Sequence, residues 1–311
     1  MIEYDRIQSL LRQKADIQSL INLIPYKGNI EIKTVNDEKY IYVRSREGGR
    51  YTSTYVDRYS DELYSLLLRQ SQELRELKKS LRKIEKELAQ AGYEENALSP
   101  RVILNIDFGR ANVKTLIYDQ AVLEGISTTF PQTETIIENG IVNGVKASDV
   151  QKILNLKHAW EFILDKDVVA SPSNYYLLSY IAKLVNEGFY SDGGRIRGVP
   201  VSIGGSSYKP PMPIELDVRE AINSIIESDK SAIDKAVELC LYAMKTQIYI
   251  DGNKRSSIIF ANHFLISNGE GLLVVPEANV NEFKKLLISY YEGTDTETIK
   301  VFLKEKCWRK F

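Results

Sequence analysis

The sequence predicts a mainly α-helical protein: a helical bundle interrupted by a β-hairpin flap, preceded by a small α+β module and one long coiled-coil-like helix. Three observations carry this reading. Beyond residue 100, apolar residues recur at helical spacing in six or so segments. Residues 60–91 hold four heptads with an almost unbroken apolar seam. Between residues 30 and 58 the period drops to two, with turn residues between the runs. A length of 311 residues suits about two domains. The boundary is placed so that residues 1–95 form the amino-terminal module with its arm and residues 96–311 the helical domain, whose core spans about 100–290.

The first helix is read from Ile7, Leu10, Leu11, Ile17, Leu20 and Ile21, and Pro25 with Gly28 ends it. Ile30 and Ile32, then Tyr40 and Tyr42, then Tyr51 and Tyr55 mark three antiparallel strands, with turns at Asn36-Asp37 and Gly48-Gly49. Arg44, Arg46 and Arg50 give the meander a basic tip. In the long helix, Leu67, Leu74, Leu81 and Leu88 recur every seven residues, and Leu63, Gln70, Leu77 and Ile84 fill the companion positions. Such a seam belongs to a hairpin arm within the chain or to a homodimer contact. The basic run Arg75, Lys78, Lys79, Arg82, Lys83 and Lys86 could track a nucleic-acid backbone, but Glu73, Glu76, Glu85 and Glu87 dilute it toward a solvated face.

The bundle helices follow from periodic apolar residues over 148–165, 175–185, 216–226, 232–244, 256–266 and 280–291. Two segments break the pattern. Residues 193–213 are dense in Gly and Pro, with a short alternating piece from Ile196 to Ile203, and read as an extended flap or hairpin. Tyr249-Ile250-Asp251-Gly252-Asn253-Lys254-Arg255 lies between two apolar helices.

Composition narrows the chemistry. Forty-one Lys and Arg against forty-two Asp and Glu give a net charge of -1, so no global field draws in a polyanion or a membrane. No apolar run is long enough to span a bilayer. The two cysteines, Cys240 and Cys307, are far apart, which excludes a structural zinc site and, with no secretory leader pattern, reads as a cytoplasmic chain. Histidine occurs twice, as His158 and His263, so a reaction needing an imidazole base must use one of these. Both fall within apolar helical runs that suit core packing.

The Asp251-Gly252-Asn253 turn permits a left-handed backbone at glycine and opens a helix, so it presents backbone N–H groups beside Lys254 and Arg255. That arrangement suits a phosphate chain, and Asp251 at its edge suits a magnesium ion bridging phosphates. An Asx turn with solvated basic residues is the plainer reading of the same residues.

The segment Gln247-Ile248-Tyr249-Ile250-Asp251-Gly252-Asn253-Lys254-Arg255 resembles the motif of the Fic (filamentation-induced-by-cAMP)/Doc family, His-x-Phe-x-(Asp/Glu)-(Gly/Ala)-Asn-(Gly/Lys)-Arg. Residues 155–160 resemble that family's first core helix, and 196–211 its substrate-docking flap. The resemblance spans about residues 100–290 and implies a Fido-fold nucleotidyltransferase, most of whose active members transfer AMP from ATP to protein hydroxyls (AMPylation). By it, Asp251 takes the magnesium role and Gly252, Asn253 and Lys254 form the phosphate nest. Arg255 neutralises phosphoryl charge, and the flap near Gly204–Lys209 pairs with a protein target.

Two departures follow from the same alignment. Gln247 stands where the family has its catalytic histidine, and a neutral amide accepts no proton near pH 7. Ile258 stands where AMP-transferring members place a second arginine. The Lys254-Arg255 form without a second arginine is closer to the Doc branch. Members restrained from within carry a glutamate that pairs with that arginine. The nearest counterpart here is Glu124, in Gln120-Ala121-Val122-Leu123-Glu124-Gly125, which loses its expected partner at Ile258. The expectations are therefore a nucleotide-binding pseudoenzyme acting through a protein partner, a magnesium-dependent transferase working without a base, or a nucleic-acid-binding module at the amino terminus.

Overall fold

The computed structural model describes residues 2–47, 50–93, 98–139 and 144–310. These fall into two compact units, Met1–Glu94 and Glu95–Phe311.

In the first unit two helices, α1 (Ile2–Leu23) and α2 (Asp61–Gln90), flank an antiparallel meander of β1 (Asn29–Val35), β2 (Glu38–Glu47) and β3 (Arg50–Arg58). Asn36 and Asp37 both adopt positive φ, 51° and 63°, and join Val35 to Glu38. That is the two-residue hairpin whose twist matches the strands, and Asn and Asp tolerate it best after glycine. The expected Gly48-Gly49 turn lies outside the described residues. Ser60 caps α2 by accepting the Leu63 N–H at 3.1 Å, and Asp61 and Glu62 complement the helix dipole.

The heptad seam of α2 packs on α1. Ile84 and Leu88 cluster with Leu10 and Leu11, while Leu74 clusters with Ile21 and Ile24. Early residues of one helix meet late residues of the other, so the pair is antiparallel. On the sheet, Ile41 and Val43 are buried on one face, and β1 runs along α2. The opposite face presents Tyr40, Tyr42 and Tyr55 together.

The second unit is a helical bundle. Its elements are α3 (Pro100–Leu123), α4 (Phe130–Asn139), α5 (Ala147–Ile163), α6 (Lys166–Val169), α7 (Tyr175–Val185), α8 (Glu215–Glu227), α9 (Ala232–Thr246), α10 (Asn253–Ser267), α11 (Val280–Glu292) and α12 (Thr298–Phe302). Two short strands, β4 (Leu272–Leu273) and β5 (Trp308–Arg309), pair antiparallel near the end. Helix α10 is the axis of the unit, in contact with α3, α5, α7 and α9. It is buried on all sides, which is why its sequence lacks an amphipathic stripe. Several of its buried polar groups find partners in the core. Asn262 exchanges hydrogen bonds with the Leu273 backbone at 2.8 and 2.9 Å, and His263 Nε2 donates to the Val168 carbonyl at 2.8 Å. Cys240 and Cys307 are buried thiols.

The helices α3 and α4 are additional to the six periodic segments of the sequence. Buried faces of α3 are mixed, with Asn105, Asp119 and Gln120 among its apolar residues, and Gly109 gives space to Leu164. The flap is an extended segment over residues 198–214 without the strand pairing expected of a hairpin. Pro200, Pro210, Pro211 and Pro213 each lack the N–H that a ladder needs. Among the described residues, no helix is long and apolar enough to cross a membrane.

Candidate functional site

The turn from α9 to α10 gathers the residues that the motif singled out. Gln247 ends α9 in a left-handed conformation, φ 49° and ψ 60°, which costs a non-glycine residue roughly 1 kcal/mol. Its amide is engaged on both sides: Nε2 donates to the Met244 carbonyl at 2.7 Å, and Oε1 accepts from Asn253 Nδ2 at 3.2 Å. Asn253 then zips the turn shut, since its Nδ2 also donates to the Tyr249 carbonyl and its Oδ1 accepts the Tyr249 N–H. Tyr249 is buried with its hydroxyl 3.0 Å from Ser179 Oγ, and that burial pushes its ionisation above the usual tyrosine range.

Gly252 starts α10 at φ 73°, and a Cβ there would lie 2.8 Å from Asn186 Oδ1. Both facts demand glycine. Asn186 is fully buried and donates from Nδ2 to the carbonyls of Asp251 and Gly193 at 2.9 and 3.1 Å. After the glycine, the N–H groups of Asn253, Lys254 and Arg255 belong to the first helical turn, which supplies them no acceptor. They and the helix dipole form the anion-attracting end of the site.

Asp251 holds the Gly252 N–H through Oδ1 at 2.7 Å and Arg255 Nη2 through Oδ2 at 3.1 Å. Its side chain is still 48% exposed. Arg255 is only 2% exposed and also donates from Nη1 to the Val185 carbonyl at 2.7 Å. Its Nε makes no hydrogen bond and lies 3.6 Å from Glu124 Oε2. Lys254 Nζ lies 3.5 Å from Glu124 Oε1. Glu124, 14% exposed, is therefore within 3.6 Å of both Lys254 and Arg255. These cations, and not position 258, are the partners of Glu124. Instead Ile258 is buried and lines a small apolar cavity with Leu116, Leu123, Trp160, Val274 and others. Gln120 fixes the approach of α3, donating to the Arg255 carbonyl and accepting from Trp160 Nε1.

Two residues that sequence reasoning missed shape the flap. Arg197 is buried and donates Nε to the Gln247 carbonyl at 2.6 Å. Its other nitrogens donate to the carbonyls of Val199, Pro210 and Pro211. One guanidinium thus ties both arms of the flap to the turn, and nothing in the glycine-rich run sets Arg197 apart from its neighbour Arg195. At the flap tip, Glu292 accepts from Ser207 N, Ser206 Oγ and Ser207 Oγ at 2.8 to 3.1 Å. Those donors hold its carboxyl below the ordinary glutamate range. Tyr208 stacks on Tyr291 with Lys245 over its ring.

His263 binds Ser173 Oγ and the Val168 carbonyl in the core, and His158 lies 3.3 Å from Glu187. Among the described residues there is no group of three or more His, Cys, Asp or Glu able to hold a metal ion by itself.

Comparison with known proteins agrees with this architecture. Residues 173–265, which run from the start of α7 through the turn into α10, match the model of the Fic/DOC family. The chain therefore carries a Fic/DOC family domain. Residues 2–65 match a domain of unknown function (DUF6788). No curated protein matches the chain significantly. Among solved structures, a fragment of Fic-1 from C. elegans is 17% identical, covering 78% of this chain and 74% of that one with a TM-score of 0.52. A Fic domain containing signaling protein from Bacteroides thetaiotaomicron VPI-5482 is 15% identical, covering 67% and 85%, with a TM-score of 0.53. A Fic family protein from Desulfovibrio desulfuricans G20 is 14% identical, covering 68% and 74%, with a TM-score of 0.52. At such identities the likeness is one of fold.

Proposed function

We propose that the helical unit is a pseudoenzyme of the Fic fold: it retains a turn that binds a phosphate chain, lacks classical AMP transfer, and acts through a protein partner held by the flap near Gly204–Lys209. The observation that carries this is Gln247. In this reading it occupies the place of the family's base, and its neutral amide is already committed to Met244 and Asn253. ATP or a related nucleotide would place its phosphates on the N–H groups of Asn253 and Lys254, which the first turn of α10 aims outward. Gly252 holds the turn in its left-handed shape, since Asn186 and Val185 fill the space a side chain would need. Asp251, half exposed, would hold a magnesium ion jointly with those phosphates. Arg255 contributes charge from beneath the turn, since two of its donors face the protein. Two carboxylates, Asp251 and Glu124, already balance Lys254 and Arg255, so a phosphate must displace Glu124 from the cations. Glu124→Ala is expected to tighten nucleotide binding by about tenfold, read by calorimetric titration with ATP and magnesium. The protein is proposed to work in the cytoplasm, with its thiols reduced.

The test incubates the natural protein and Gln247→His with labelled ATP, magnesium and candidate target proteins. Binding without transfer by the natural sequence supports the proposal. Transfer by the natural sequence would establish the second reading, a slow magnesium-dependent transferase, which the exposure of Asp251 beside free backbone donors favours. Absence of nucleotide binding at millimolar ATP would remove the phosphate site altogether.

A further inference from the structure

We propose that the exposed face of the amino-terminal sheet binds single-stranded nucleic acid, stacking bases on Tyr42, Tyr55 and Tyr51 and drawing phosphates to Lys33, Arg44 and Arg58. The face follows from strand alternation. Tyr42 pairs with Tyr55 in the register, Arg44 with Ser53, Lys33 with Tyr40, and Tyr40 with Arg58, so all of them stand opposite the buried Ile41 and Val43. Three of the tyrosines form a continuous cluster: Tyr55 lies 5.6 Å from Tyr42 and 6.2 Å from Tyr40, ring centre to ring centre. Tyr55 is 50% exposed and Tyr51 62%. Large aromatic surface left in water on a sheet face calls for a ligand with flat faces of its own.

Cations are interleaved with the rings. Lys33 Nζ stands 4.2 Å from the centre of the Tyr42 ring, and the Arg44 guanidinium 4.3 Å from that of Tyr51. Aromatic platforms with adjacent Lys and Arg are how sheets hold single strands, because every base has a π-face and every linkage a phosphate. The carboxylates on the face are Glu31, 3.4 Å from Arg44 and 3.9 Å from Lys33, and Glu38, 3.3 Å from Arg58. These pairs are solvent-exposed and weak, so a phosphate exchanges with them at little cost. From Lys27 to Arg58 the sequence carries seven Lys and Arg against five Asp and Glu, opposite in sign to the whole chain. An open sheet face offers no helix or protruding ribbon to enter a duplex groove, whereas unpaired bases reach the rings directly. A protein partner suits the face less well, since apart from its rings it offers few apolar atoms.

The experiment measures anisotropy of a labelled 12-nucleotide oligomer, as RNA and as DNA, with the full chain. Single strands are expected to bind with a log–log salt slope of about −2, for roughly three phosphates. Tyr42→Ala with Tyr55→Ala should weaken binding at least about tenfold. The corresponding Phe double variant, which keeps the rings, should bind as the natural protein does. Lys33→Ala with Arg44→Ala should reduce the slope by about 1.4. Thermal melts of each variant separate lost binding from lost folding. Failure to bind single strands at low salt, equal or tighter binding of the matching duplex, or binding indifferent to the Ala pair would overturn the proposal. Displacement of the oligomer by ATP and magnesium would move the contact to the α10 turn and overturn it as well.

Discussion

In the α9–α10 turn, polar side chains find their partners inside the protein; on the amino-terminal sheet, they stand in water beside exposed rings. Gln247 and Asn253 bridge Met244 to Tyr249, while Arg255 and Asn186 bind Asp251 and Val185. On the meander, Lys33 and Arg44 meet only exposed carboxylates, a serine and ring faces. The first arrangement fixes a backbone shape, and the second leaves a surface available. Substitutions should divide accordingly: in the turn they should cost folding stability, and on the sheet they should cost almost none.

The largest effect is expected at Arg197. Its buried guanidinium serves carbonyls of Gln247, Val199, Pro210 and Pro211. Arg197→Ala leaves several buried acceptors unmet at once, for a loss of roughly 3–5 kcal/mol in urea unfolding. Arg197→Lys should recover only part, because an ammonium cannot fork to the same set. A loss below about 1 kcal/mol would mean that the flap is not tied to the turn through this residue.

Gly252→Ala comes next. The positive φ and the 2.8 Å approach to Asn186 Oδ1 add up to about 2–3 kcal/mol. Gln247→Gly probes the other left-handed residue. It relieves roughly 1 kcal/mol of backbone strain and forfeits two amide hydrogen bonds of about 1 kcal/mol each, so it should destabilise by about 1 kcal/mol. A stabilised Gln247→Gly would show that backbone geometry, rather than the side chain, decides this position. On the sheet, Tyr42→Ala loses one edge-on ring pair and should cost under about 1 kcal/mol. A larger cost there would erase the contrast between the two regions.

The contrast also explains what was legible in the sequence. Asp251-Gly252-Asn253-Lys254-Arg255 could be read because a turn that opens a helix needs its residue types at fixed offsets. The Asn36-Asp37 hairpin and the apolar seam of α2 were legible for the same reason: their chemistry is local. Arg197, Glu292 and Asn186 were not, since each binds groups at least a loop away and nothing near it in sequence marks those partners. Glu124 was found as a residue and misplaced as a contact. Its position depends on how α3 lies against α10, which Gln120 sets through Arg255 and Trp160. The flap was placed by its composition, but its prolines denied the hairpin pairing that alternation suggested. The tyrosine face was visible only as strands; that three strands bring Tyr40, Tyr42 and Tyr55 into one cluster required the register.

The smallest effect expected is a pH response at the flap tip, and its sign is fixed. Glu292 accepts three hydrogen bonds from Ser206 and Ser207, which depress its carboxyl relative to the unfolded chain. A depressed acid contributes stability that is fully present above its unfolded value and is lost as pH falls through the folded one. The group is solvent-exposed, so the contribution stays local to the tip rather than governing global unfolding. Hydrogen exchange at the Ser207 amide, corrected for the intrinsic pH dependence of exchange, should therefore lose protection as pH falls below the usual glutamate range. Elsewhere in the bundle, protection should hold over the same interval. Glu292→Gln should flatten that local response, because a neutral amide accepts weakly at every pH. Protection at Ser207 that is independent of pH in the natural protein would show that Tyr208, stacked on Tyr291, anchors the flap without the carboxylate.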